Sequence, residues 1–301
     1  MTILITGATG LVGSEIVRQC HQQNIVVHYL TTSKDKISTK SNYKGFFWNP
    51  KETVIDHKCF EGVDAIINLA GAPISKRWTD SYKKTILNSR LESLDLLKTS
   101  LASIEHQVKH VVSASAIGIY PDSLTNYYDE DFPEHSTTFL GEVAQRWERK
   151  ADELNSPEVM VSKVRIGLVM DDKEGALPQM VRPIEYGMGT AFGKGTQWQS
   201  WVHISDLAGI FLYVVQQKIE GVFNSVAPNP VTNNDLTKAI AKTLNKPLIL
   251  PNIPKFLMKL VLGEMHILLF ESQRVSSNKI ENYGYHFKFS NVVPALEDLF
   301  K

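Results

Sequence analysis

Residues 2–13 constrain this chain more than any other stretch. A short apolar run, Thr2-Ile3-Leu4-Ile5-Thr6, leads straight into Gly7, Gly10 and Gly13, three glycines spaced three apart. A helical pattern follows, with Ile16, Val17 and Cys20 on one face. Each glycine has a task in a strand-to-helix turn. Gly7 takes the tight turn without a Cβ clash, Gly10 lets backbone approach a pyrophosphate, and Gly13 lets the helix pack closely on the sheet. The helix start then offers unpaired N–H groups and a partial positive charge to phosphates. The spacing is G-x-x-G-x-x-G, not the more general G-x-G-x-x-G, yet its place after a strand points to dinucleotide binding.

With 301 residues the chain can bury a large core and form one or two domains. Lys+Arg and Asp+Glu both number 32, so no global field attracts nucleic acid or an anionic membrane. Cys20 and Cys59 provide neither a disulfide framework nor a metal cluster, which fits a reducing cytoplasm, and no metal site is expected. Cys20 reads as a small apolar filler. The first strand begins at residue 2, so no leader is expected. The apolar stretch Phe256 to Phe270 is interrupted by Lys259, Gly263, Glu264 and His266, too short and too charged to span a bilayer. It reads as a surface or partner-facing helix pair.

Strand and helix patterns alternate through the first half, the signature of a parallel sheet with helices on both faces. Strands are predicted at 2–6, 25–31, 64–69, 108–115 and 159–166, each rich in β-branched residues as doubly buried strands are. Helices are predicted at about 11–23, 79–104 and 137–155. The fold class is therefore α/β, a Rossmann-type doubly wound parallel sheet with ligands at the strands' C-terminal ends. After residue 170 the pattern changes to glycine-rich loops, strand-like segments at 201–204 and 221–225, a helix at about 205–217 and frequent prolines. The expected division is a dinucleotide-binding domain at 1–170 and a smaller mixed substrate lobe at 171–301, the two sharing a core.

Three strand ends carry the chemistry. The second strand runs into Thr32-Ser33-Lys34, with no acid before Asp35 to hold a ribose 2′-OH. These donors and one cation suit a 2′-phosphate, so NADP is favoured, with NAD possible. Asp64-Ala65-Ile66-Ile67-Asn68-Leu69-Ala70-Gly71-Ala72 ends in small residues that let backbone pass the adenine ribose and diphosphate. Val111-Val112-Ser113-Ala114-Ser115 places Ser113 and Ser115 near a nicotinamide ribose, or uses them as ordinary turn formers. Arg165, at a strand end, meets a phosphate or carboxylate or else pairs with an acid at the core edge. Arg77 and Arg90 grip an anionic substrate or lie on a solvated face. Trp78, Trp198 and Trp201 line a pocket or fill the core.

These motifs resemble the extended short-chain dehydrogenase/reductase superfamily. More closely, the chain is similar to the epimerase-like NAD(P)-binding family often labelled nucleoside-diphosphate-sugar epimerase, which ends in a small domain of unknown function, here at about 248–297. The resemblance covers almost the whole chain. It rests on Thr6 to Gly13, Asn68 to Ile74, Arg77-Trp78, Ser89-Arg90, Ser113 to Gly118, Trp147-Glu148, Arg165-Ile166-Gly167, Gly193-Lys194-Gly195, Ser200 to Asp206, Asn224 to Pro228 and Gly263-Glu264-Met265. It implies a Rossmann fold, a nicotinamide cofactor and a small-molecule pocket between the lobes. Cofactor contacts are then expected from Gly7, Thr9, Gly10, Leu11, Val12, Gly13, Thr32, Ser33, Lys34, Leu69, Ala70, Gly71, Ala72, Ser113, Ala114 and Arg165. Relatives tend to carry Arg where Thr32 stands, which moves weight onto Ser33 and Lys34.

The superfamily's working pair, Tyr-x-x-x-Lys, exchanges a proton with a substrate hydroxyl. None of the ten tyrosines has Lys four residues later. The helix expected to carry the pair reads Phe139-Leu140-Gly141-Glu142-Val143-Ala144-Gln145-Arg146-Trp147-Glu148. Candidate catalytic groups are Ser115, Glu142, Tyr120, Tyr128 and His203, the last either catalytic or a loop-orienting histidine. Two classes of function stay open. One is an NADP-dependent oxidoreductase or epimerase acting on an unidentified small molecule. The other is a non-catalytic NADP(H)-binding regulator or redox sensor. A cytoplasmic monomer or homodimer, binding neither nucleic acid nor membrane, is expected in either case.

Overall fold

The computed structural model describes all residues, Met1–Lys301. In chain order the elements begin β1 (Thr2–Thr6), α1 (Leu11–Gln22), β2 (Val26–Thr31), β3 (Thr39–Lys40), β4 (Tyr43–Asn49), β5 (Val54–Ile55), β6 (Ala65–Asn68), α2 (Asp80–Ser103) and β7 (His110–Ala116). They continue β8 (Tyr127–Tyr128), α3 (Phe139–Asp152), β9 (Met160–Ile166), β10 (Leu168–Met170), α4 (Leu177–Glu185), β11 (Trp198–Gln199), β12 (Trp201–His203), α5 (Ile204–Gln217) and β13 (Gly221–Ser225). The chain ends with β14 (Val231–Thr232), α6 (Asn233–Thr243), α7 (Lys255–Leu262), α8 (Ile267–Phe270), β15 (Arg274–Val275), α9 (Asn278–Asn282) and α10 (Val292–Leu299).

The central sheet runs β13-β9-β7-β6-β1-β2-β4-β3, with β5 paired to β4. β1 lies parallel between β2 and β6, and β6 is parallel to β7, so the order reverses around β1 as in a doubly wound sheet. The strands are apolar along their whole length because both faces are covered: Ile3, Leu4, Ile5, Ile66, Ile67, Val111 and Val112 are all fully buried. α1 lays Ile16 and Cys20 on this core, and burial pushes the Cys20 thiol up to about 12. α2 starts where Thr79 Oγ1 accepts from the Tyr82 N–H, and it buries Leu94, Leu97 and Leu101. The sequence pattern did not disclose β4, whose Tyr-Lys-Gly-Phe-Phe-Trp-Asn run pairs parallel with β2.

The chain divides into two compact units, and the division is discontinuous in sequence. The first comprises Met1–Ser115, Glu142–Arg165 and Ala208–Phe223; the second comprises Ala116–Gly141, Ile166–Leu207 and Asn224–Lys301. The expected single boundary at 170/171 therefore differs from the observed partition. β13, expected in the substrate lobe, joins the central sheet beside β9. The second unit has its own core, in which Leu177, Trp201, Leu236, Ile240, Ala295 and Leu296 pack together. Asp206 organises this unit: its carboxylate accepts the backbone N–H groups of Lys288 and Phe289 and the hydroxyl of Tyr285. α7 buries none of its residues, and Phe256, Leu260 and Val261 are 70%, 83% and 68% exposed. No helix is long and apolar enough to cross a membrane.

Candidate functional site

The glycine turn is built as its spacing implies, with one refinement. Gly7 has φ +70, a left-handed conformation that favours glycine, and a Cβ there would lie 3.2 Å from the Leu69 backbone. A Cβ on Gly13 would collide with the carbonyl of Gly7, so Gly13 is needed to seat the helix on the turn itself more than on the sheet. Gly10 is different. Its backbone is extended (φ −87, ψ 176), and a Cβ there would meet only the Gly7 oxygen at 3.4 Å. The space in front of Gly10 is open.

Gly10 is also the N-cap of α1. No side chain caps this end, and no acidic residue sits in the first turn. The first N–H groups of a helix have no intrahelical acceptor, and they carry the positive end of its dipole. An open cradle beneath uncapped donors fits an anionic diphosphate. Thr9, Leu11 and Val12 lie in this same turn and helix start.

The neighbouring strand ends are tied together by a polar ladder that the sequence reading did not assign. Thr6, Asn68 and Ser113 stand in register on β1, β6 and β7. Thr6 Oγ1 donates to Asn68 Oδ1 (2.7 Å), and Asn68 Nδ2 donates to Ser113 Oγ (3.3 Å). Thr6 Oγ1 also accepts the N–H groups of Leu69 and Ala70, each at 3.0 Å. The Leu69–Ala72 loop is thereby drawn beside the glycine turn. Ala72 N–H donates to Ser89 Oγ at 2.8 Å, which anchors the far end of the loop to α2.

At the end of β2, Thr32 and Lys34 are exposed and Ser33 is half-buried. Lys34 Nζ sits over the Phe47 ring, 5.1 Å from its centroid. No acid stands between the end of β2 and Asp35, which lies in a short helical turn at Lys34–Lys36. The strand end thus offers donors and a cation to whatever lies there. Thr32–Lys34, Gly7–Gly13, Leu69–Ala72 and Ser113–Ala114 all occupy C-terminal ends of neighbouring strands in one unit.

Arg165 takes the second of its two anticipated roles, pairing with an acid. Its Nε donates to Glu148 Oε1 (2.8 Å) and its Nη2 to Glu148 Oε2 (2.9 Å), both side chains being buried. Ser115 Oγ donates to the same Oε1 at 2.7 Å. Glu148 therefore accepts from the strand ends of β7 and β9 at once. It lies on the buried face of α3 with Val143, Ala144, Trp147 and Ala151. A charged residue within that helical stripe is the signal that could have revealed it.

The other proton-transfer candidates are placed less favourably. Glu142 is exposed on α3 and pairs with Arg146 at 3.3 Å. Tyr120 is 1% exposed; its hydroxyl donates to Asn224 Oδ1 (2.8 Å), and its ring stacks on Tyr128 at 5.1 Å. His203 is buried against Phe289. Its Nδ1 accepts the Ser205 N–H at 3.1 Å and lies 2.7 Å from Ser205 Oγ, so the ring proton is on Nε2, 3.7 Å from Asp298 Oδ2. That is the loop-orienting geometry. Trp201 is core, its indole N–H donating to Asn229 O, whereas Trp198 is partly exposed under Arg274. Arg77 is exposed. Arg90 is not on a solvated face: it packs against Gly71, with Nη1 donating to Ala72 O and Ile86 O.

A sequence profile described as the NAD dependent epimerase/dehydratase family matches residues 3–225, and one described as a domain of unknown function matches residues 253–299. The chain is 36% identical over 297 residues to the epimerase family protein SAR0825 of Staphylococcus aureus, spanning 98% of each. Among solved structures it resembles human epimerase family protein SDR39U1 with NADPH, at 28% identity, TM-score 0.87 and 99% coverage of both chains. It also resembles a nucleoside-diphosphate sugar epimerase from Corynebacterium glutamicum, at 29% identity and TM-score 0.78, covering 99% of this chain and 58% of that one.

Proposed function

The chain belongs to the NAD dependent epimerase/dehydratase family, and we propose that it binds NADP(H) and acts as an epimerase-like oxidoreductase on a small molecule. The observation that carries this reading is the open cradle at Gly10 beneath the uncapped start of α1. Thr32, Ser33 and Lys34 at the β2 end supply the polar and cationic partners for a 2′-phosphate, and the similar human protein was solved with NADPH. Such a cofactor supplies hydride exchange when bound.

The chain's own residues then have separable tasks. Gly7, Gly10 and Gly13 shape the diphosphate seat. The ladder Thr6–Asn68–Ser113 fixes the strand ends. Ser115 gives its one proton to the carboxylate of Glu148, so the face it has left is an acceptor. A substrate hydroxyl that donates to Ser115 Oγ is held by an oxygen whose own hydrogen is already placed. This differs from Tyr-x-x-x-Lys chemistry, for which the chain has no pair.

A titration of purified protein with NADPH, followed by nicotinamide fluorescence, tests the cofactor assignment. Saturable binding, tighter than for NADH, is expected; saturation by neither overturns the reading. Incubation with a metabolite extract tests turnover. The engagement of Tyr120 with Asn224 and of Glu142 with Arg146 favours a second reading, a cofactor-binding sensor. Cofactor that binds and stays chemically unchanged in every extract would select it.

A further inference from the structure

We propose that Arg90 is a positioning residue for the cofactor: it sets the path of the Leu69–Ala72 loop by packing its guanidinium against both Gly71 and Trp147. The inference rests on the NADP(H) reading above and identifies what holds one wall of that seat.

The geometry is specific to a flat side chain. The Arg90 Cζ lies 4.8 Å from the centroid of the Trp147 ring on α3. A Cβ built on Gly71 would come 3.0 Å from the same Cζ and 3.1 Å from Nη1. The loop backbone is thus in contact with the guanidinium, and any Cβ at this position would push the guanidinium back by a few tenths of an ångström. Nη1 donates to Ala72 O (3.2 Å) and to Ile86 O (2.8 Å), so one nitrogen ties the loop to α2. Gly71 is not among the glycines with positive φ, so its conformation admits alanine and an added Cβ acts through the Arg90 contact alone.

The arrangement is costly, which argues that it is retained for a purpose. Arg90 Nε and the neighbouring Trp147 Nε1 are both buried without a hydrogen-bond partner. Unmade hydrogen bonds of this kind are destabilising. Burial also lowers the Arg90 guanidinium to about 10, still charged at neutral pH. A packed apolar residue would avoid the cost at Arg90 but would make no bond to Ala72 O.

A double-mutant cycle on NADPH affinity tests the proposal. Arg90→Met and Gly71→Ala are each expected to weaken NADPH binding about tenfold, with cooperative unfolding retained. Once the guanidinium is gone, the added Cβ has room, so the double variant is expected to bind no more weakly than Arg90→Met alone. Arg90→Lys keeps the charge but neither the plane nor the fork, and it is expected to bind as poorly as Arg90→Met. Wild-type affinity in Arg90→Met, full rescue by lysine, or a roughly hundredfold loss in the double variant would each overturn the assignment. If Arg90→Met does not fold, Gly71→Ala decides, and wild-type affinity in that variant refutes the assignment. A wild-type protein that binds no nicotinamide cofactor removes the underlying reading instead, and that control is read first.

Discussion

Substituting the three glycines of the β1–α1 turn one at a time separates folding from binding. At Gly7, alanine must hold φ +70 and would sit 3.2 Å from the Leu69 backbone. The left-handed conformation alone costs about 1–2 kcal/mol. At Gly13, the Cβ meets the Gly7 carbonyl and lies 2.7 Å from the Ala8 Cα, so the turn must shift. Overpacking of this kind costs about 1–3 kcal/mol. Gly10→Ala faces neither penalty, since its φ of −87 is ordinary and its nearest neighbour is at 3.4 Å. The loss of a good N-cap and the gain from a stiffer unfolded chain roughly offset, leaving stability within about 1 kcal/mol of wild type. The Cβ nevertheless enters the space assigned to the diphosphate. Urea unfolding and NADPH fluorescence titration on the same samples should therefore give opposite rankings. Gly13→Ala is the least stable, while Gly10→Ala is near wild type in stability but at least about tenfold weaker in binding, or about 1.4 kcal/mol. If Gly10→Ala binds NADPH as wild type does, the cradle is not where the phosphates lie.

Further outcomes follow from the same unit. Glu148→Gln leaves Arg165 without its buried counter-charge and should cost about 3–5 kcal/mol in denaturant unfolding; adding Arg165→Met should recover part of that loss. Thr6→Val strands the N–H group of Ala70 and leaves Leu69 only its longer bond to the Thr6 carbonyl, so a stability loss of about 1–3 kcal/mol and weaker NADPH binding are expected by the same two assays. Burial lowers His110 from 6.5 to about 4. Ser162 Oγ donates to Ile219 O, so His110 Nε2 must donate to Ser162 and the partnerless Nδ1 would take the extra proton. The unfolded chain binds that proton first, so stability is full above about pH 6.5 and falls by about 3 kcal/mol as pH drops to about 4. Unfolding curves of His110→Gln against pH should lack this component, and identical slopes would refute it.

The alternating fold was legible because its signal is periodic. Doubly buried strands such as Ile3-Leu4-Ile5 and Ile66-Ile67 announce themselves as short apolar runs, and α2 as a long leucine-bearing repeat. β4 was missed because Tyr43, Lys44 and Gly45 break the apolar run, although Gly45 is required there: a Cβ would press on the Tyr29 ring 2.5 Å away. The placement of β13 in the large sheet was equally hidden. Its local pattern is only that of a strand, and which sheet takes it is a long-range choice.

The site divides along the same line. Glycines announce a seat for backbone reasons, which are local and therefore readable. The pairing of side chains is not local. Ser115 and Arg165 were both named from strand ends 50 residues apart, yet what unites them is Glu148 on the intervening helix. Arg90 could not be told from a solvated arginine, because its neighbours Gly71 and Trp147 lie 19 and 57 positions away. The missing Tyr-x-x-x-Lys pair was plain at once. What occupies the surrounding space was not: a carboxylate that takes the serine's proton and an arginine that neutralises it. That combination commits the Ser115 proton to Glu148, so any group that meets the Ser115 oxygen must itself donate.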